Sequence, residues 1–314
     1  MIDIMTLGEL LIDLTQNGTD ENGNGKFTAY PGGAPANVAV AAARLGAKTG
    51  FIGKVGDDAF GRGLADTLRK EGVDVSGLYS CAEVPTTMAI VSVADNGERE
   101  FSFYRNPGAD TQLTEAEVMS VLSGAKPSIL HVGSLSLTTS PIREACEAAV
   151  RYARENGILV SYDPNYRAAL WDTEEHAVAM MKTLLPLADI LKVSDEEMVM
   201  LTGESDPDAG SKALADYGIS LVMVTLGSEG VYVRCGDEAD RVPGFSTVVA
   251  DTNGAGDTFL GAMLRQLADK LSKGEQLEWD ELKGFVSYAN KAASITCSRP
   301  GAIPAMPRAE EIVM

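Results

Sequence analysis

The most informative segment of this sequence is Asp251-Thr-Asn-Gly-Ala-Gly-Asp257. Residues 246–250 before it form an apolar run with strand character, and a helix is predicted from about Ala255 onward. The first N–H groups of such a helix have no acceptor within it, and the helix dipole is positive at this end. Gly254, Ala255 and Gly256 are therefore predicted to form an anion site.

Asp257 follows these residues in the first turn of the predicted helix. In one interpretation it is a carboxylate that only stabilises the helix dipole. In the other it is a general base for a substrate hydroxyl in phosphoryl transfer, a reaction that depends more on electrostatic stabilisation than on a strong base. The helix end is expected to lower the pKa of Asp257. The local residues favour neither interpretation.

The charge balance limits the anions that the chain could hold. Its 314 residues include 26 Lys and Arg against 45 Asp and Glu, a formal net charge of −19. Such acidity disfavours nucleic acids and anionic membranes as partners. It is compatible with one small anion held by backbone N–H groups, a helix N-terminus and a bound cation. With 45% hydrophobic residues, a chain of this length is expected to bury a sizeable core.

The cysteine and histidine residues limit which cellular compartment and which kinds of metal site the sequence can indicate. The scattered Cys81, Cys146, Cys235 and Cys297 predict reduced thiols in a cytoplasmic protein. The N-terminus lacks the pattern of a signal peptide, and no run reaches the roughly 18 apolar residues of a membrane span. Two histidines are too few for a His-rich zinc centre, and His131 is interpreted as a buried, hydrogen-bonded strand residue.

Short apolar runs alternate with predicted helices along the chain. The runs read as buried parallel strands and lie at 2–7, 129–132, 158–162, 190–193 and 221–225. Predicted helices with Gly just past their ends lie at 36–45, 58–71 and 141–156. This alternation predicts a doubly wound, mostly parallel α/β fold in a single domain over residues 1–314.

Two stretches, at about 9–31 and 86–105, break this alternation. The second contains the turn Asp95-Asn-Gly between two apolar runs, which is a strong hairpin signal. The two stretches together are interpreted as a small β-sheet that forms a lid. The alternative is an antiparallel extension of the main sheet.

A second segment, Pro31-Gly-Gly-Ala-Pro-Ala-Asn-Val-Ala39, makes the pattern specific. Together with Asp251–Asp257, roughly 220 residues later, it resembles the paired signatures of the PfkB/ribokinase family of carbohydrate kinases. The resemblance covers the whole chain and implies a ribokinase-like doubly wound fold with a β-lid. It also implies that Asp257 deprotonates a sugar hydroxyl and that Gly254, Ala255 and Gly256 hold the transferring phosphoryl group.

The Gly-Gly motif also makes physical sense as a sugar site. Gly32 and Gly33 would let the backbone approach a ligand closely, and the alternative is a tight turn into a helix, which would be favoured if the second motif were absent. Asn37 offers both a donor and an acceptor to hydroxyl groups. Asp13 resembles the family aspartate that accepts hydrogen bonds from two sugar hydroxyls.

The segment Lys192-Val-Ser-Asp-Glu-Glu197 is informative about phosphate binding, metal binding and the identity of the substrate. The family commonly has Asn-x-x-Glu here, linked to Mg²⁺–phosphate coordination, and this chain has Ser194 in place of the Asn. By resemblance Lys192 and Ser194 contact ATP, and Glu197 reaches Mg²⁺ through water. Ser-x-x-Glu is also a capping box, which needs no metal. This version of the segment resembles fructokinases.

Two further stretches resemble fructokinases, and one also resembles 2-keto-3-deoxygluconate kinases. Phe103 and Arg105 belong to a stretch similar to the fructokinase lid strand. Arg167 ends Asp163-Pro-Asn-Tyr-Arg167, which follows a predicted strand and so lies where open α/β sheets bind ligands. The two arginines are predicted to contact sugar or phosphate, and the alternative is that they form solvated surface pairs.

The remaining assignments concern the nucleotide and a cation, and all follow from the resemblance. Thr225 and Gly227 would lie beside the nucleotide, although the bare pattern is that of a β-turn. Asn290 would wall the adenine pocket. A monovalent cation, K⁺ in many members, would be held by a group of three residues: Asp251, Asn253 and Gly301.

The sequence therefore predicts ATP-dependent phosphorylation of a free ketohexose, D-fructose at O6, with Mg²⁺ as cofactor. A 2-keto-3-deoxygluconate kinase is the first alternative, because Arg105 and Arg167 could hold an acidic sugar. A catalytically idle sugar-binding protein on the same fold is the second. The expected partners are sugar and ATP, with no nucleic acid or membrane, and an exposed lid edge predicts a homodimer.

Overall fold

The computed structural model describes residues 2–93 and 99–314. The strands are β1 Ile4–Leu7, β2 Leu11–Thr19, β3 Gly25–Gly32, β4 Thr49–Gly56, β5 Asp74–Cys81, β6 Met88–Val93, β7 Arg99–Tyr104, β8 Ile129–Gly133, β9 Leu159–Asp163, β10 Ile190–Ser194, β11 Leu221–Thr225, β12 Val231–Cys235 and β13 Glu238–Val242. The α-helices are α1 Ala34–Arg44, α2 Ala59–Lys70, α3 Glu115–Ala125, α4 Ile142–Glu155, α5 Glu174–Leu184, α6 Asp195–Thr202, α7 Pro207–Ala215, α8 Ala255–Lys273 and α9 Trp279–Cys297.

The main sheet has the order β13-β12-β11-β10-β9-β8-β1-β4-β5 among the described residues. Neighbours from β11 to β5 pair in parallel, whereas β12 and β13 are antiparallel. The predicted doubly wound, mostly parallel sheet is therefore confirmed. The carboxyl ends of parallel strands share one edge of a sheet. Asp163, Ser194 and Thr225, the last residues of three parallel strands, consequently lie along the same edge.

A second, separate sheet has the order β3-β2-β6-β7. Strand β2 pairs with β3 in antiparallel and with β6 in parallel, and β6 pairs with β7 in antiparallel. The prediction of a small separate sheet is confirmed, and the alternative of an extension of the main sheet is wrong. The predicted turn Asp95-Asn-Gly lies outside the described residues.

Apolar side chains cover both faces of the main sheet. One cluster contains Leu130 and Tyr162, and the other contains Ile4 and Leu260 from helix α8. Helices α1 and α8 pack unusually closely, since a Cβ added at Gly261 would lie 2.6 Å from Ala41 Cβ. This close approach places the first turns of the two helices side by side, and each first turn belongs to one of the two signature segments.

The strand predicted at 246–250 is wrong. Residues 243–250 have no regular secondary structure, and Val248 and Val249 are 88% and 60% exposed. Apolar, β-branched composition favours a strand only where a neighbouring strand can pair with it. Here the segment is tied to a helix end instead, because the Ala250 N–H donates to the Cys297 carbonyl at 2.8 Å.

The interpretation of His131 as a buried, hydrogen-bonded strand residue is confirmed. His131 is buried on β8, and its Nδ1 lies 3.1 Å from Ser161 Oγ. Burial lowers the pKa of His131 to about 4, so the ring is neutral at physiological pH. All four cysteines are free thiols. No helix within the described ranges 2–93 and 99–314 has the length and apolarity that a membrane crossing requires.

Candidate active site

Asp257 lies in the first turn of α8 and is buried, with 7% of its surface exposed. Its Oδ2 accepts a hydrogen bond from Asn37 Nδ2 at 2.8 Å. Its Oδ1 accepts a longer one from Asn165 Nδ2 at 3.3 Å. Both carboxylate oxygens are thus oriented by amide donors, one from each of two segments that are remote in sequence.

The expected lowering of the Asp257 pKa is wrong. Burial raises the pKa to about 6, and the nearby Asp163 carboxylate acts in the same direction. The Asn37 hydrogen bond and the charges of Lys192 and Arg167 oppose this rise without cancelling it. A carboxyl group with a pKa of about 6 is ionised near neutral pH and is a better base than an exposed aspartate.

The turn before Asp257 leaves backbone donors at the start of α8. Gly254 is the N-cap, with φ +75°, and no side chain among the described residues caps this end. The Ala255 N–H makes a long bond, 3.3 Å, to the Thr252 carbonyl. A Cβ added at Gly256 would lie 3.2 Å from Lys192 Nζ, so the missing side chain leaves room for the ammonium group. The predicted anion site therefore combines a helix N-terminus with a lysine.

Lys192 belongs to a buried charged cluster at the carboxyl ends of β9 and β10. Its Nζ lies 2.7 Å from Asp163 Oδ2, and both side chains are buried. Burial disfavours the ammonium form, but the carboxylates of Asp163 and Glu197 more than offset this and raise the pKa of Lys192. Lys192 is therefore a fixed cation at the edge where the strands end.

The Ser194–Glu197 capping box is present. Ser194 Oγ accepts from the Glu197 N–H at 3.1 Å, and Glu197 Oε2 accepts from the Ser194 N–H at 2.8 Å. Glu197 Oε1 accepts from the Tyr166 N–H at 2.7 Å. Burial and Asp163 raise the pKa of Glu197, while Lys192 opposes them. Each oxygen keeps a lone pair that could accept from a metal-bound water.

The described residues contain no cluster of three or more His, Cys, Asp or Glu side chains suited to a metal ion.

The opposite side of Asp257 contains the Gly-Gly turn and Asp13. A Cβ added at Gly32 would lie 2.3 Å from Asp13 Oδ2, and one at Gly33 would lie 2.4 Å from the Glu9 carbonyl. Gly33 also has φ +108°, so it needs to be glycine for two reasons. Burial raises the pKa of Asp13 to about 6, and hydrogen bonding to Asn253 opposes that rise.

Asn37 has a side-chain oxygen that accepts no hydrogen bond within the described chain. Its backbone N–H donates to the Gly33 carbonyl at 2.8 Å, and its Nδ2 to Asp257. Its Oδ1 is buried and has no partner within the described chain. A buried acceptor is costly to leave unpaired, which indicates a hydrogen bond that a ligand hydroxyl would complete.

The three residues assigned to a monovalent cation lie together. Asp251 Oδ1 accepts from the Asn253 N–H at 2.9 Å, and its Oδ2 accepts from the Gly301 N–H at 3.0 Å. Asn253 Nδ2 reaches Asp13 Oδ2 at 3.3 Å, which connects this group to the sugar side.

A cavity of about 360 Å³ lies beside Asp257, Lys192 and the start of α8. Its lining combines exposed Arg167 with the phosphate-side residues, in full Asn165, Tyr166, Arg167, Lys192, Ser194, Glu196, Glu197, Met200, Thr252, Asn253, Gly254, Gly256 and Asp257. Arg167 lowers the pKa of both Asp13 and Asp257, so its charge acts on both carboxylates.

Other predicted residues do not line this cavity. Arg105 is buried. Its guanidinium donates hydrogen bonds to Asp110 Oδ2 at 2.7 Å, to Thr138 Oγ1 at 2.7 Å and to the Leu135 carbonyl at 3.0 Å. Phe103 is half-buried on β7, opposite Ala89 of β6.

The residues predicted to border the nucleotide lie further along the sheet. Thr225 Oγ1 donates to the Val193 carbonyl at 3.3 Å, and Gly227 follows it with φ +57°. Asn290 Nδ2 donates to the carbonyls of Val242 and Pro243, so its amide holds the end of β13.

Sequence reasoning missed Asp163, Asn165 and Glu9. Asp163 and Asn165 belong to a segment in which only the arginine was selected, although an aspartate ending a buried strand is itself a signal. Glu9 is buried, and its Oε1 accepts from the Ala34 N–H at 2.9 Å, so it supplies the cap that Gly33 lacks. Burial raises the pKa of Glu9 to about 7.

Comparisons with known proteins show which family the chain belongs to. The pfkB family carbohydrate kinase model matches residues 1–309. Fructokinase-2 of Oryza sativa subsp. japonica is 42% identical over 310 residues, covering 97% of this chain and 90% of that protein. The chain resembles a fructokinase from Xylella fastidiosa with bound ATP, with a TM-score of 0.89, 33% identity, and 99% and 96% of the two chains covered.

A double-mutant fructokinase from Vibrio cholerae O395, bound to fructose, ADP and potassium ion, is similar to the same extent. Its TM-score is 0.88 at 33% identity, with 99% of this chain and 97% of that chain covered. A family match over nearly the whole length, together with a relative above 40% identity, establishes membership. This chain belongs to the pfkB family of carbohydrate kinases.

Proposed function

We propose that this protein is an ATP-dependent fructokinase that converts D-fructose to fructose 6-phosphate. The observation that carries the proposal is Asp257, a buried carboxylate held by Asn37 and placed directly after a donor-rich helix start. Fructokinases that are 33–42% identical over nearly the whole chain support fructose as the sugar.

In the proposed reaction Asp257 accepts the proton of the sugar O6 hydroxyl. The O6 oxygen forms a bond to the γ-phosphorus of ATP as the bond from that phosphorus to the β–γ bridging oxygen breaks. ADP leaves with the electron pair of the broken bond, and the proton stays on Asp257 until it is released to solvent. The backbone donors at Gly254–Gly256 and the Lys192 ammonium stabilise the charge on the phosphoryl oxygens.

The sugar hydroxyls would be held by Asp13 and by the unpartnered Oδ1 of Asn37. Gly32 and Gly33 would contribute to the sugar site through the turn that they form, in which Asp13 and the Glu9 carbonyl take the places where Cβ atoms would lie. Phe103, on the small sheet, would cover the sugar. Closure of that sheet as a lid over a kinase domain spanning residues 1–314 would exclude water and suppress ATP hydrolysis.

Mg²⁺ would neutralise phosphate charge when bound, with Glu197 accepting from its water ligands and Ser194 nearby. Asp251, Asn253 and Gly301 would hold K⁺, and the potassium-bound Vibrio cholerae relative supports that assignment. Thr225, Gly227 and Asn290 would border the nucleotide. Four free thiols favour a cytoplasmic location, and the edges of the small sheet favour a homodimer.

The arrangement of arginines favours a neutral sugar over 2-keto-3-deoxygluconate. An acidic sugar needs free cations, and Arg105 is buried in an ion pair with Asp110. Of these two arginines, Arg167 is the one that is exposed and lines the same cavity as Asp257.

A coupled ADP-release assay tests the proposal, with fructose, ribose, 2-keto-3-deoxygluconate and fructose 6-phosphate compared at equal concentrations. We expect kcat/KM to be highest for fructose. A higher value for the keto acid would replace the proposed substrate. No sugar-dependent ADP release with any of the four would favour a non-catalytic sugar-binding protein.

A further inference from the structure

Resting on the proposed function, we propose that Asn165 is a positioning residue for the catalytic base, and that its side-chain amide fixes the Asp257 carboxylate from the side opposite Asn37. Asn165 lies just beyond β9, and its Nδ2 donates to Asp257 Oδ1 at 3.3 Å. Asn37 donates to the other oxygen. With both oxygens held, the carboxylate plane cannot rotate freely about its Cβ–Cγ bond.

The backbone of Asn165 allows a suitable glycine variant. Its φ of +47° lies in the left-handed region, which asparagine adopts more readily than most residues and which glycine adopts freely. At this position the asparagine side chain also supplies the hydrogen bond to Asp257.

The position of Asn165 is itself fixed by a hydrogen bond to the buried Asp163. Its backbone N–H donates to Asp163 Oδ1 at 3.1 Å, and the other oxygen of Asp163 holds Lys192. Asp163 is 1% exposed, so this anchor is rigid. One buried carboxylate thus sets the position of both the phosphate-side cation and the amide that orients the base.

The charged groups around Asp257 define what a change at Asn165 should do. Asp163 raises the pKa of Asp257, and Lys192 and Arg167 lower it. Asp13 also faces it across the sugar side. Loss of a donor to the ionised carboxylate raises its pKa further, and an added negative charge raises it more.

Asn165→Gly removes the amide and keeps the left-handed backbone accessible. We expect kcat to fall by about 10-fold with the sugar KM changed less than threefold, because the lost hydrogen bond orients the base and does not bind sugar. The acidic limb of the pH–rate profile should move to higher pH. Asn165→Asp should move it further.

Lys126→Gly is the matched control. Lys126 also has a positive φ, +44°, but it is an exposed residue at the end of α3. Relieving that backbone should leave kcat, KM and the pH profile unchanged. A general effect of glycine on left-handed positions would appear in both variants.

The titration of Asp257 can be followed without turnover by ¹³C NMR of the carboxyl groups, with its resonance identified by its loss in Asp257→Asn. We expect the Asp257 pKa to increase in the order wild type, Asn165→Gly, Asn165→Asp. An unchanged pKa in both variants overturns the positioning role whatever the sugar assays show. If kcat and the melting temperature both fell while the Asp257 pKa did not change, Asn165 would be a purely structural residue. Absence of turnover in the wild type, with the ordered pKa shifts intact, would count against the proposed function alone.

Discussion

Asn37 Nδ2 and Asp257 Oδ2 are joined by a 2.8 Å buried hydrogen bond that spans 220 residues of sequence. Asn37 lies in the first turn of α1, and Asp257 in the first turn of α8. The bond therefore connects the Gly-Gly segment with the N-terminus of α8. In the proposed reaction, this bond would bring the sugar hydroxyl and the phosphoryl group to the same carboxylate.

Asn37→Asp tests this connection. It replaces an amide donor by a second carboxylate next to Asp257, and two adjacent carboxylates cannot both ionise easily. We expect the acidic limb of the rate profile to move up by more than one pH unit, so that the ionised fraction of Asp257 at pH 7 falls from about nine-tenths to less than about one-half and kcat/KM at pH 7 falls by at least about twofold. Steady-state kinetics from pH 5 to 9 measure both quantities. A wild-type profile in the variant would show that the bond has no influence on the base.

The wild-type pH dependence follows from the raised pKa of Asp257. With a pKa of about 6, the ionised fraction rises from about one-tenth at pH 5 to about nine-tenths at pH 7. Only the ionised form can accept the proton, so kcat/KM should rise through pH 6 and level off above pH 7. Asp13, also near 6, should steepen this rise. Full activity at pH 5 would contradict the assignment of the base.

Asp257 should lower the free energy of unfolding once it is ionised. Its folded pKa of about 6 exceeds the ordinary 3.8, so its contribution to stability is fully present below pH 3.8 and is lost as the pH rises through 6. That shift corresponds to about 3 kcal/mol, and an unfavourable amide contact in Asp257→Asn would offset about 1 kcal/mol.

Asp257→Asn should therefore raise the free energy of unfolding at pH 7.5 by about 2 kcal/mol, with a melting temperature a few degrees higher. At pH 5 the advantage should shrink to about half a kcal/mol, because the unfolded carboxyl is still mostly ionised there, and it should vanish only at a lower pH where the unfolded carboxyl also becomes protonated. Calorimetry at the two pH values checks this. A variant that is less stable than wild type at pH 7.5 would show that burial does not strain Asp257.

Gly261 tests the packing that creates the site. An added Cβ would lie 2.6 Å from Ala41 Cβ and 2.9 Å from the Val38 carbonyl, so Gly261→Ala should push α1 away from α8. We expect a loss of about 1–3 kcal/mol in stability and a fall in kcat, because the Asn37–Asp257 bond crosses the same interface.

Gly63→Ala is the control for that variant. Gly63 lies within α2, and an added Cβ would meet no atom within 4 Å. This change should stabilise the protein by about 0.5–1 kcal/mol without affecting kcat. Equal behaviour of the two variants in urea titrations and kinetics would refute the packing argument.

The elements that the sequence predicted are those whose signals are local. Ser194 and Glu197 form their capping box three residues apart, and the strand at 221–225 matches Leu221–Thr225 of the structure. The start of α8 at Ala255 also follows from the residues around it. Caps, glycine turns and short apolar runs need no knowledge of distant segments.

The features that the sequence did not predict depend on tertiary contacts. The pKa of Asp257 rises because the folded chain buries it, which outweighs the helix end. Asn165 meets Asp257 across 92 residues, and residues 246–250 lack a strand partner. The sequence predicts that Arg105 contacts sugar or phosphate, yet Arg105 forms a buried ion pair with Asp110. Each outcome is set by neighbours that spacing alone does not reveal.

The most direct measurement of the central claim is the turnover of Asp257→Asn with fructose and ATP, taken together with fructose affinity by calorimetry. The account predicts that kcat falls by about 10²–10⁴-fold while the dissociation constant for fructose changes by less than about threefold, because the carboxylate acts on the proton and not on the sugar as a whole. A variant that binds fructose normally and keeps near wild-type kcat would contradict the assignment of Asp257 as the base.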